Sequence, residues 1–367
     1  MKPVARVALI LLPLLLVSVP AVAGYDRFID IHPNGWVESA ALCINARGDV
    51  AGYGATGQGE RGFMWSDGTA TEILPPGADS ARASWINANG DIAGTAVTGG
   101  VPHAFLLKDG RYQDPTPGWA YSTADFVGDD GTVAGSGEFG AYVSRDGATE
   151  ILPGFTTILG RNSAGQLIGR NDDAARLYTP GKGYIDLTPP LAAAAFPRAI
   201  NESGLVALTS SSGGVQKGFV YSGGWFIQMT PPGWDMSQAT AINNSAAVVG
   251  FGVFQGTTQS FVRTGGDYEF IAFPGWTATE AVSLNDFGQV AGSGRTASGA
   301  RHAFVASPAG ISAPSSSAQP QASAEAAGGG CAMAPRAASG GSAAGPAVNL
   351  AILASPLLVL FARRVRR

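Results

Sequence analysis

The residues best suited to catalysis are few in this sequence and form no familiar catalytic pattern. The 367-residue chain contains three histidines, His32, His103 and His302. Two of them, His103 and His302, hold the same position in two copies of a repeat, so we expect them in separate structural units with structural roles. No nucleophile elbow, His-Glu-x-x-His motif, phosphate-binding loop or dinucleotide fingerprint is present. We therefore predict no catalytic residue, no metal site and no cofactor.

Acidic residues are the other source of chemistry, because glycoside hydrolysis requires two carboxyl groups that flank the scissile bond. The acidic candidates are scattered rather than paired: Asp79, Asp125, Glu138, Asp172, Asp173, Asp235 and Glu280. Asp49 and Asp91 share one repeat position and suggest calcium. That position is occupied in the other copies by Thr132, Gln166, Leu205, Ala247 and Gln289. Hydrogen bonding within a turn explains Asp49 and Asp91 better than calcium binding does. For the protein as a whole, an extracellular hydrolase or lyase is the alternative to a non-enzymatic protein.

Five aromatic residues are the candidates for ligand binding, because each follows a Pro- or Gly-containing turn at the same point of the repeat. They are Trp36, Trp119, Phe155, Trp234 and Trp276. The loops expected beside them are rich in Gly, Ser and Thr. Aromatic and small polar side chains on one rim suit a glycan or a protein partner. The alternative is that these rings are packing residues wedged between neighbouring units.

A repeat of about forty residues positions all of these side chains. The segment ALCINARGDVAG at 41–52 returns six more times in altered form. Its asparagine position is occupied in turn by Asn45, Asn87, Gly128, Asn162, Asn201, Asn243 and Asn285, with separations of 42, 41, 34, 39, 42 and 42 residues. A period of this size is typical of propellers and solenoids.

Each repeat predicts four short β-strands. The Asn-x-x-Gly turn joins the first two, since Asn hydrogen-bonds to its own downstream backbone and Gly accepts a left-handed conformation. The third strand contains a motif such as His103-Ala104-Phe105. Asp-Gly pairs such as Asp67-Gly68 then mark a second tight turn. The fourth strand ends at a proline-containing segment.

The number of strands decides the architecture. Seven first strands and seven third strands are expected, but only six fourth strands follow them, because the chain leaves the last repeat at Ser307-Pro308. The missing strand lies at the other end, where 27–36 has the same form as 226–234. We therefore predict an all-β, seven-bladed propeller over residues 24–310, closed by its N-terminal strand. A β-solenoid or two stacked β domains are the alternatives.

Both ends of the chain predict export. Residues 1–23 have the basic start, apolar run and small-residue end of a signal peptide, with cleavage expected between Ala23 and Gly24. Residues 311–346 are an Ala/Ser/Gly/Pro-rich stalk that contains Cys331. Residues 347–367 form an apolar membrane segment followed by an arginine cluster, which is held in the cytoplasm. A retained N-terminal anchor and a plain C-terminal tail anchor are the alternatives.

The charge of the chain excludes one class of partner, and its cysteine content excludes a disulfide scaffold. The net charge is −4, and the two ends hold several of the positive charges, so the body is acidic and nucleic acid is not expected as a partner. Only two cysteines are present, Cys43 and Cys331. They lie in different regions, so we expect no disulfide scaffold. Cys43 aligns with Trp85 and Phe126 of other repeats, which predicts a small, buried apolar side chain.

Two resemblances follow from these motifs. Asn-x-x-Gly-x-Val-Ala-Gly combined with His-Ala-Phe resembles the HAF-family extracellular repeat of bacteria across most of 28–307. Gly328-Gly329-Gly330-Cys331, the apolar segment and the arginine cluster resemble C-terminal sorting signals of the MYXO-CTERM and related Cys-containing classes. The second resemblance implies a membrane sorting protease as a partner, besides signal peptidase, and makes Cys331 the processing or modification site.

Together these features predict an exported protein, anchored at or sorted to the surface of a bacterium. Its propeller is expected to bind a glycan or a protein without catalysis, and a purely structural role in the envelope is a further alternative. The sequence does not name the ligand or the oligomeric state.

Overall fold

The computed structural model describes residues 24–172 and 174–310 together with the backbone of Gly330–Cys331, and within this part every regular element is a β-strand. Seven antiparallel sheets form a ring of seven blades, so the predicted seven-bladed β-propeller is confirmed. The first strand, β1 (Tyr25–Asp30), precedes blade 1. Within each blade the strands follow chain order from the central channel outwards.

The blades contain the following strands. Blades 1 to 3 comprise β2 (Glu38–Ile44), β3 (Val50–Thr56), β4 (Gly59–Ser66) and β5 (Thr69–Ile73); β6 (Ser80–Ile86), β7 (Ile92–Thr98), β8 (Val101–Lys108) and β9 (Arg111–Gln113); and β10 (Ser122–Val127), β11 (Val133–Gly137), β12 (Gly140–Arg145) and β13 (Ala148–Ile151). Blades 4 to 6 comprise β14 (Thr157–Arg161), β15 (Leu167–Asn171), β16 (Ala174–Thr179) and β17 (Gly183–Asp186); β18 (Ala194–Ile200), β19 (Val206–Ser212), β20 (Val215–Ser222) and β21 (Trp225–Gln228); and β22 (Met236–Ile242), β23 (Val248–Phe254), β24 (Thr257–Thr264) and β25 (Asp267–Ile271). Blade 7 comprises β26 (Trp276–Leu284), β27 (Val290–Thr296) and β28 (Arg301–Pro308), with β1 at its outer edge and β29 (Gly330–Cys331) at its inner edge.

The ring closes through β1, as the missing fourth strand predicts. β1 pairs antiparallel with β28, with Phe28 opposite Ala306 and Ile29 opposite Val305. The ladder continues one residue further, where the Ile31 N–H donates to the carbonyl oxygen of Ala303 at 3.0 Å. Ile31 is buried in the core beside blade 1. Blade 7 is therefore built from both ends of the repeat region.

The Asn-x-x-Gly turn has the predicted chemistry, because the side-chain Oδ1 of Asn45 accepts from the N–H groups of Arg47 and Asp49, both at 2.9 Å. In blade 1 the Asn45 N–H donates to the Asp49 carbonyl at 3.0 Å, and the Gly48 N–H donates to the Asn45 carbonyl at 3.1 Å. Both bonds recur in all seven blades. The fourth residue has a positive φ in each copy, 83° at Gly48 and 61° even where Ala246 replaces glycine. The turn fixes this conformation, and glycine is the residue that adopts it without steric cost.

The Asp-Gly pairs also form the predicted hairpin turns between third and fourth strands. Asp67 and Gly68 both have positive φ, 48° and 81°. This is the pattern of a type I′ turn, whose twist matches that of the strands it joins.

The third-strand aromatic residue fills the space between sheets. Phe63, Phe105, Phe261 and Phe304 are almost completely buried. In blade 1 a Cβ atom added to Gly52 would lie 2.7 Å from the Phe63 ring, so only glycine leaves room for the aromatic side chain there. The glycine of the Val-Ala-Gly motif and the phenylalanine of the His-Ala-Phe motif therefore pack against each other.

Candidate functional site

The propeller has two faces with different content. Because neighbouring strands are antiparallel, the Asn-x-x-Gly turns and the Asp-Gly turns meet at one end of the ring, which we call the turn face. The loops between second and third strands and the connections between blades meet at the other end, the loop face. Four of the predicted rim aromatics lie in the connections between blades and the fifth, Trp276, is the first residue of β26, so all five belong to the loop face.

Four of the five rim aromatics pack on a glycine of the second strand in their own blade. Trp36, Trp119, Trp234 and Trp276 lie over glycines at equivalent positions, namely Gly54, Gly137, Gly252 and Gly294. An added Cβ atom there would fall 2.6–2.8 Å from the indole ring. In blade 2 the two equivalent positions are Ala78 and Ala96, so a small residue replaces the tryptophan where the glycine is also lost. These contacts give the tryptophans a packing role, and ligand binding by them stays a prediction.

Phe155 packs at a different position because blade 4 lacks the third-strand aromatic. Arg176 stands there, opposite Gly169 on the neighbouring strand. The Phe155 ring takes the vacated space, since a Cβ atom added to Gly169 would lie 2.7 Å from it. Phe155 is buried, at 5% exposure. The fourth repeat therefore preserves its core with an aromatic residue from another part of the sequence.

A circle of side-chain amides surrounds the channel on the turn face, and we call it the amide ring. Each asparagine at the repeat position donates its Nδ2–H to the carbonyl oxygen at the same position of the next blade. The bonds run Asn45 to Asn87, Asn87 to Gly128, Asn162 to Asn201, Asn201 to Asn243, Asn243 to Asn285 and Asn285 to Asn45, at 2.9–3.2 Å. The sequence explained these asparagines by turn formation alone and missed that they link neighbouring blades.

Asp49 and Asp91 belong to the same hydrogen-bonding system. Their Oδ2 atoms accept from the Nδ2 of Asn45 and Asn87 at 3.0 Å. Gln166 and Gln289 accept the same bond in blades 4 and 7. The turn interpretation of these positions is therefore supported. Among the described residues no cluster of three His, Cys, Asp or Glu side chains is arranged to hold a metal ion.

The amide ring is interrupted between blades 3 and 4, where Gly128 replaces asparagine. Without a side chain, Gly128 cannot donate to the carbonyl of Asn162. Asp130 occupies the space instead, since a Cβ atom on Gly128 would lie 2.8 Å from its Oδ1. Asp130 accepts from the Thr132 N–H at 3.0 Å and reaches blade 4 through Arg161, at 3.2 Å. An ion pair thus replaces the buried amide link at this junction.

A cavity of about 300 Å³ opens beside this interruption, at the turn-face mouth of the channel. We call it the mouth cavity. Its walls come from the ends of the innermost strands and the asparagine turns of blades 1 to 5. Trp85 and Phe126 form an aromatic pair in the wall, with ring centroids 4.8 Å apart. The charged residues of the lining are Asp129, Asp130, Arg161 and Glu202. Aromatic and aliphatic walls with a few polar groups are typical of ligand sites.

The charges of the mouth cavity are unevenly balanced. Burial raises the pKa of Asp129, and the neighbouring carboxylates of Asp130 and Glu202 raise it further, against the opposing effect of a hydrogen bond from the Ala88 N–H at 2.8 Å. Burial opposes ionisation of Asp130 too, but hydrogen bonds from Thr132 and the charge of Arg161 hold its pKa below the usual value. A positively charged group beside Asp129 would relieve this crowding of negative charge.

Two histidines that the sequence treated separately form a stacked pair at the ring closure. The rings of His32 and His302 are parallel, with centroids 3.9 Å apart. His302 Nδ1 contacts Asp30 Oδ2 at 2.8 Å. Because His32 is near the N-terminal strand and His302 is in β28, the predicted closure already implied this proximity.

The surroundings of His32 favour its neutral form. Burial lowers the pKa of His32, and the adjacent His302 lowers it further. Its Nε2 donates to the Trp36 carbonyl at 3.1 Å, and its Nδ1 lies 2.8 Å from Ser39 Oγ. Ser39 Oγ already accepts from the Ala303 N–H at 2.9 Å, so its own hydroxyl proton is directed to the imidazole. This arrangement satisfies both ring nitrogens of an uncharged imidazole.

Three of the carboxylates considered for hydrolysis bind loop N–H groups or an arginine in the structure. Asp79 Oδ2 accepts from the Gly99 N–H and Glu138 Oε2 from the Ala120 N–H, both at 2.7 Å. Glu280 contacts Arg301 at 3.5 Å. Asp173 lies outside the described residues. The first two contacts fix loops, and the third joins β26 to β28 within blade 7.

The prediction for Cys43 is wrong in one respect. The residue is fully buried, as expected, but its sulfur is part of a disulfide. The disulfide was not predicted from the sequence, because Cys43 lies in a repeat strand and Cys331 lies in the stalk.

The predicted processing sites are only partly within the structure. Gly24 is exposed, and its carbonyl oxygen accepts from the Ala309 N–H at 2.9 Å. Ala23, the side chain of Cys331 and the segment 347–367 lie outside the described residues. Within the described part, no helix long and apolar enough to span a membrane is found.

Comparison with known proteins identifies the fold. No protein-family profile matches the chain, and no curated protein matches it in sequence. Among solved structures, a streptogramin B lyase is similar with a TM-score of 0.52 and 16% identity, covering 77% of this chain and 97% of its own. A virginiamycin B lyase from Staphylococcus aureus with quinupristin has a TM-score of 0.51 and 13% identity, covering 77% and 99%. YCF48 bound to D1 peptide has a TM-score of 0.51 and 12% identity, covering 78% and 99%. These likenesses show a propeller fold.

Proposed function

We propose that this protein is an exported propeller, held at or sorted to the bacterial cell surface, that binds a protein partner without catalysis. The observation that carries the proposal is the mouth cavity, a preformed recess in a rigid ring. The partner would insert a positively charged side chain with an apolar stem, such as lysine or arginine. A surface glycan is the alternative ligand.

The shape and lining of the mouth cavity support a side chain as the bound group. Trp85 and Phe126 are 7% and 6% exposed, so their rings are fixed by packing before any ligand arrives. Such preorganised aromatic walls favour the apolar stem of a long side chain, because little conformational freedom is lost on binding. The volume of about 300 Å³ admits one residue and its immediate neighbours.

The charge distribution supports a cation. Asp129 and Glu202 face the cavity, and Arg161 is engaged by Asp130. Burial is the main cause of the raised pKa of Asp129, and the nearby carboxylates of Asp130 and Glu202 add to it. Binding a guanidinium or ammonium group there would stabilise the ionised carboxylate, at low exposure to solvent.

Export is supported by the two ends of the sequence and by the presence of a disulfide at Cys43, a bond that persists in oxidising compartments. One fold neighbour, YCF48, is known bound to a peptide. Only the propeller fold is shared with it, so the peptide partner is a precedent for this architecture and not for this ligand.

The test is a binding screen on the purified exported protein against a glycan array and an array of Lys- and Arg-containing peptides. We expect peptide binding that weakens about tenfold in Asp129→Asn, which keeps an acceptor for the Ala88 N–H, and in Glu202→Gln. Asp79→Asn on the loop face is the matched control and should bind like the wild type.

Other outcomes separate the alternatives. Glycan binding that is lost in Trp276→Ala and unaffected by Asp129→Asn would move the site to the loop face and overturn the mouth-cavity proposal. Cleavage of a bound polysaccharide would indicate the hydrolase or lyase. Absence of binding to either array would favour a structural envelope component.

A further inference from the structure

The innermost strand of each blade presents one edge to the central channel. Such an edge has backbone N–H and C=O groups without a ladder partner and is a template for strand addition. In blade 7 this edge is paired. β29 adds antiparallel to β26, with Gly330 opposite Leu284 and Cys331 opposite Ser283. The chain leaves the outer part of blade 7 at the end of β28 and is back inside the ring at β29.

β29 lies where the junction between blades 7 and 1, the seam of the ring, meets the channel. It pairs with β26 and also contacts β2, β18 and β22, which are the innermost strands of blades 1, 5 and 6. The Ile44 N–H of β2 donates to the Ser283 hydroxyl at 3.0 Å, across the seam. Ser283 is thus opposite Cys331 in the ladder and bonded to the residue that follows Cys43.

The sulfur of Cys43 lies at the inner end of the interface between blades 1 and 2, where it contacts β6. The Ile86 N–H of β6 donates to Cys43 Sγ at 3.4 Å, and Cys43 has no solvent-exposed surface. Its sulfur is disulfide-bonded, and the chain contains only one other cysteine, Cys331.

We infer that Cys331 supplies the second sulfur of this disulfide, so that the chain's own C-terminal segment is fixed covalently inside the propeller channel. Strand addition to β26 brings the backbone of residue 331 to the seam, and the covalent bond holds it there.

The bond forms by oxidation of two thiols. Cys43 and Cys331 lose two protons and two electrons as the S–S bond forms. The acceptor is a protein disulfide of an exported thiol–disulfide oxidoreductase, which is reduced to its dithiol by two successive exchanges. Since Cys331 is consumed in this bond, modification of its sulfur by another group requires the reduced form. Sorting chemistry at the Cys331 sulfur and the bond between Cys43 and Cys331 are therefore mutually exclusive on the same molecule.

Peptide mapping tests the linkage directly. Wild-type protein is exported, alkylated without reduction and digested with trypsin. The sequence predicts that Cys43 lies in the peptide 28–47 and Cys331 in the peptide 302–336. We expect one species that joins these two peptides and separates on reduction. Alkylation of both cysteines before reduction, or linkage of Cys43 to a second Cys43 or to a small thiol, overturns the inference.

A second measurement tests the anchoring of the segment in the native protein. Glu325 is the only acidic residue between 302 and 331, so limited digestion with a glutamate-specific protease cuts the chain before Cys331. On a denaturing gel without reductant, the fragment that starts at residue 326 should stay with the body, and reduction should release it. Cys43→Ser and Cys331→Ser are matched controls that should release it without reductant. Release from the unreduced wild type would contradict the inference, whatever the result of the binding screen.

Discussion

The junction between blades 7 and 1 and the junction between blades 3 and 4 solve the same packing problem with different bonds. At the first, which we call the seam, neutral and buried groups connect the blades. Asn285 donates to the Asn45 carbonyl at 2.9 Å, the Ala303 N–H donates to Ser39 Oγ at 2.9 Å, and the Ile44 N–H donates to Ser283 Oγ at 3.0 Å.

At the junction of blades 3 and 4 the hydrogen bond from an asparagine side chain is absent, and the Asp130–Arg161 ion pair takes its place. The carboxylate of Asp130 is 32% exposed, so water screens this interaction more than the buried amides of the seam. The mouth cavity opens beside it.

The difference shows which junction of the ring requires the stronger stabilising bonds. The seam joins segments far apart in sequence, so its bonds must offset the entropy of bringing the two ends together. Blades 3 and 4 are consecutive in the chain and are already tethered. A weaker junction is tolerated there, and the space left by the missing side chain becomes part of a recess.

The largest expected effect comes from removing the strand that closes the ring. Deleting residues 25–36 removes β1 and exposes the edge of β28, which is a template for intermolecular pairing. We expect an aggregating or unfolded product, measured by size-exclusion chromatography and thermal unfolding. Asp26→Ser, on an exposed side chain of the same strand, is the control and should resemble the wild type. A monomeric deletion variant with unchanged melting would show that β1 does not close the ring.

The second prediction compares one bond at each junction. Asn285→Ala removes the link to Asn45 and leaves the partly buried N–H of Phe287 and the buried N–H of Gln289 without their side-chain acceptor. We expect a loss of about 2–3 kcal/mol in the free energy of unfolding, measured in urea. Asp130→Ala should cost about 1 kcal/mol or less, because its ion pair is partly exposed. Equal losses in the two variants would remove the distinction between the junctions.

The third and smallest effect is a pH dependence confined to the seam. The folded-state pKa of His32 lies below its ordinary value of 6.5, so the unfolded chain takes up its proton first as the pH falls. The contribution of the neutral ring is present above about pH 6.5 and is lost as the pH falls towards the folded-state pKa. Urea midpoints between pH 8 and 5 measure it.

Histidine variants check the assignment of this pH dependence. His32→Gln should flatten the decline in stability on the acidic side. His103→Gln, at the repeat position of His302 but in blade 2, should leave the decline unchanged. A profile that is the same in all three proteins would assign the pH dependence to other groups.

Most of the fold could be predicted because the same pattern of strands and turns occurs in seven copies of the repeat. Turn glycines such as Gly48 and hairpins such as Asp67-Gly68 depend on local backbone geometry, which the sequence encodes directly. Closure by β1 followed from counting strands. The Val-Ala-Gly and His-Ala-Phe motifs were recognised as signatures, but their contact, Gly52 with Phe63, appears only once the strands are paired.

The candidate site was harder to predict because it depends on contacts between blades. Asn45 and Asn87 have a sufficient local explanation in their own turns, so nothing in the sequence demanded a bond between them. The stacking of His32 on His302 was implied by ring closure but was not drawn from it. Gly128 is visible in the sequence at the asparagine position of the repeat, but its consequence, an opening beside Asp129, depends on the arrangement of the blades in the ring.

The position of β28 between β27 and β1 has a mechanical consequence. In a molecule whose bond between Cys43 and Cys331 is reduced, tension from a tether on the C-terminal side enters the body at Pro308, the end of β28. A strand at a sheet edge unzips under such a load one bond at a time. β28 has a partner along each side, so two ladders must shear together before it yields. By placing its own N-terminal strand outside β28, the ring protects from peeling the strand through which it would be pulled.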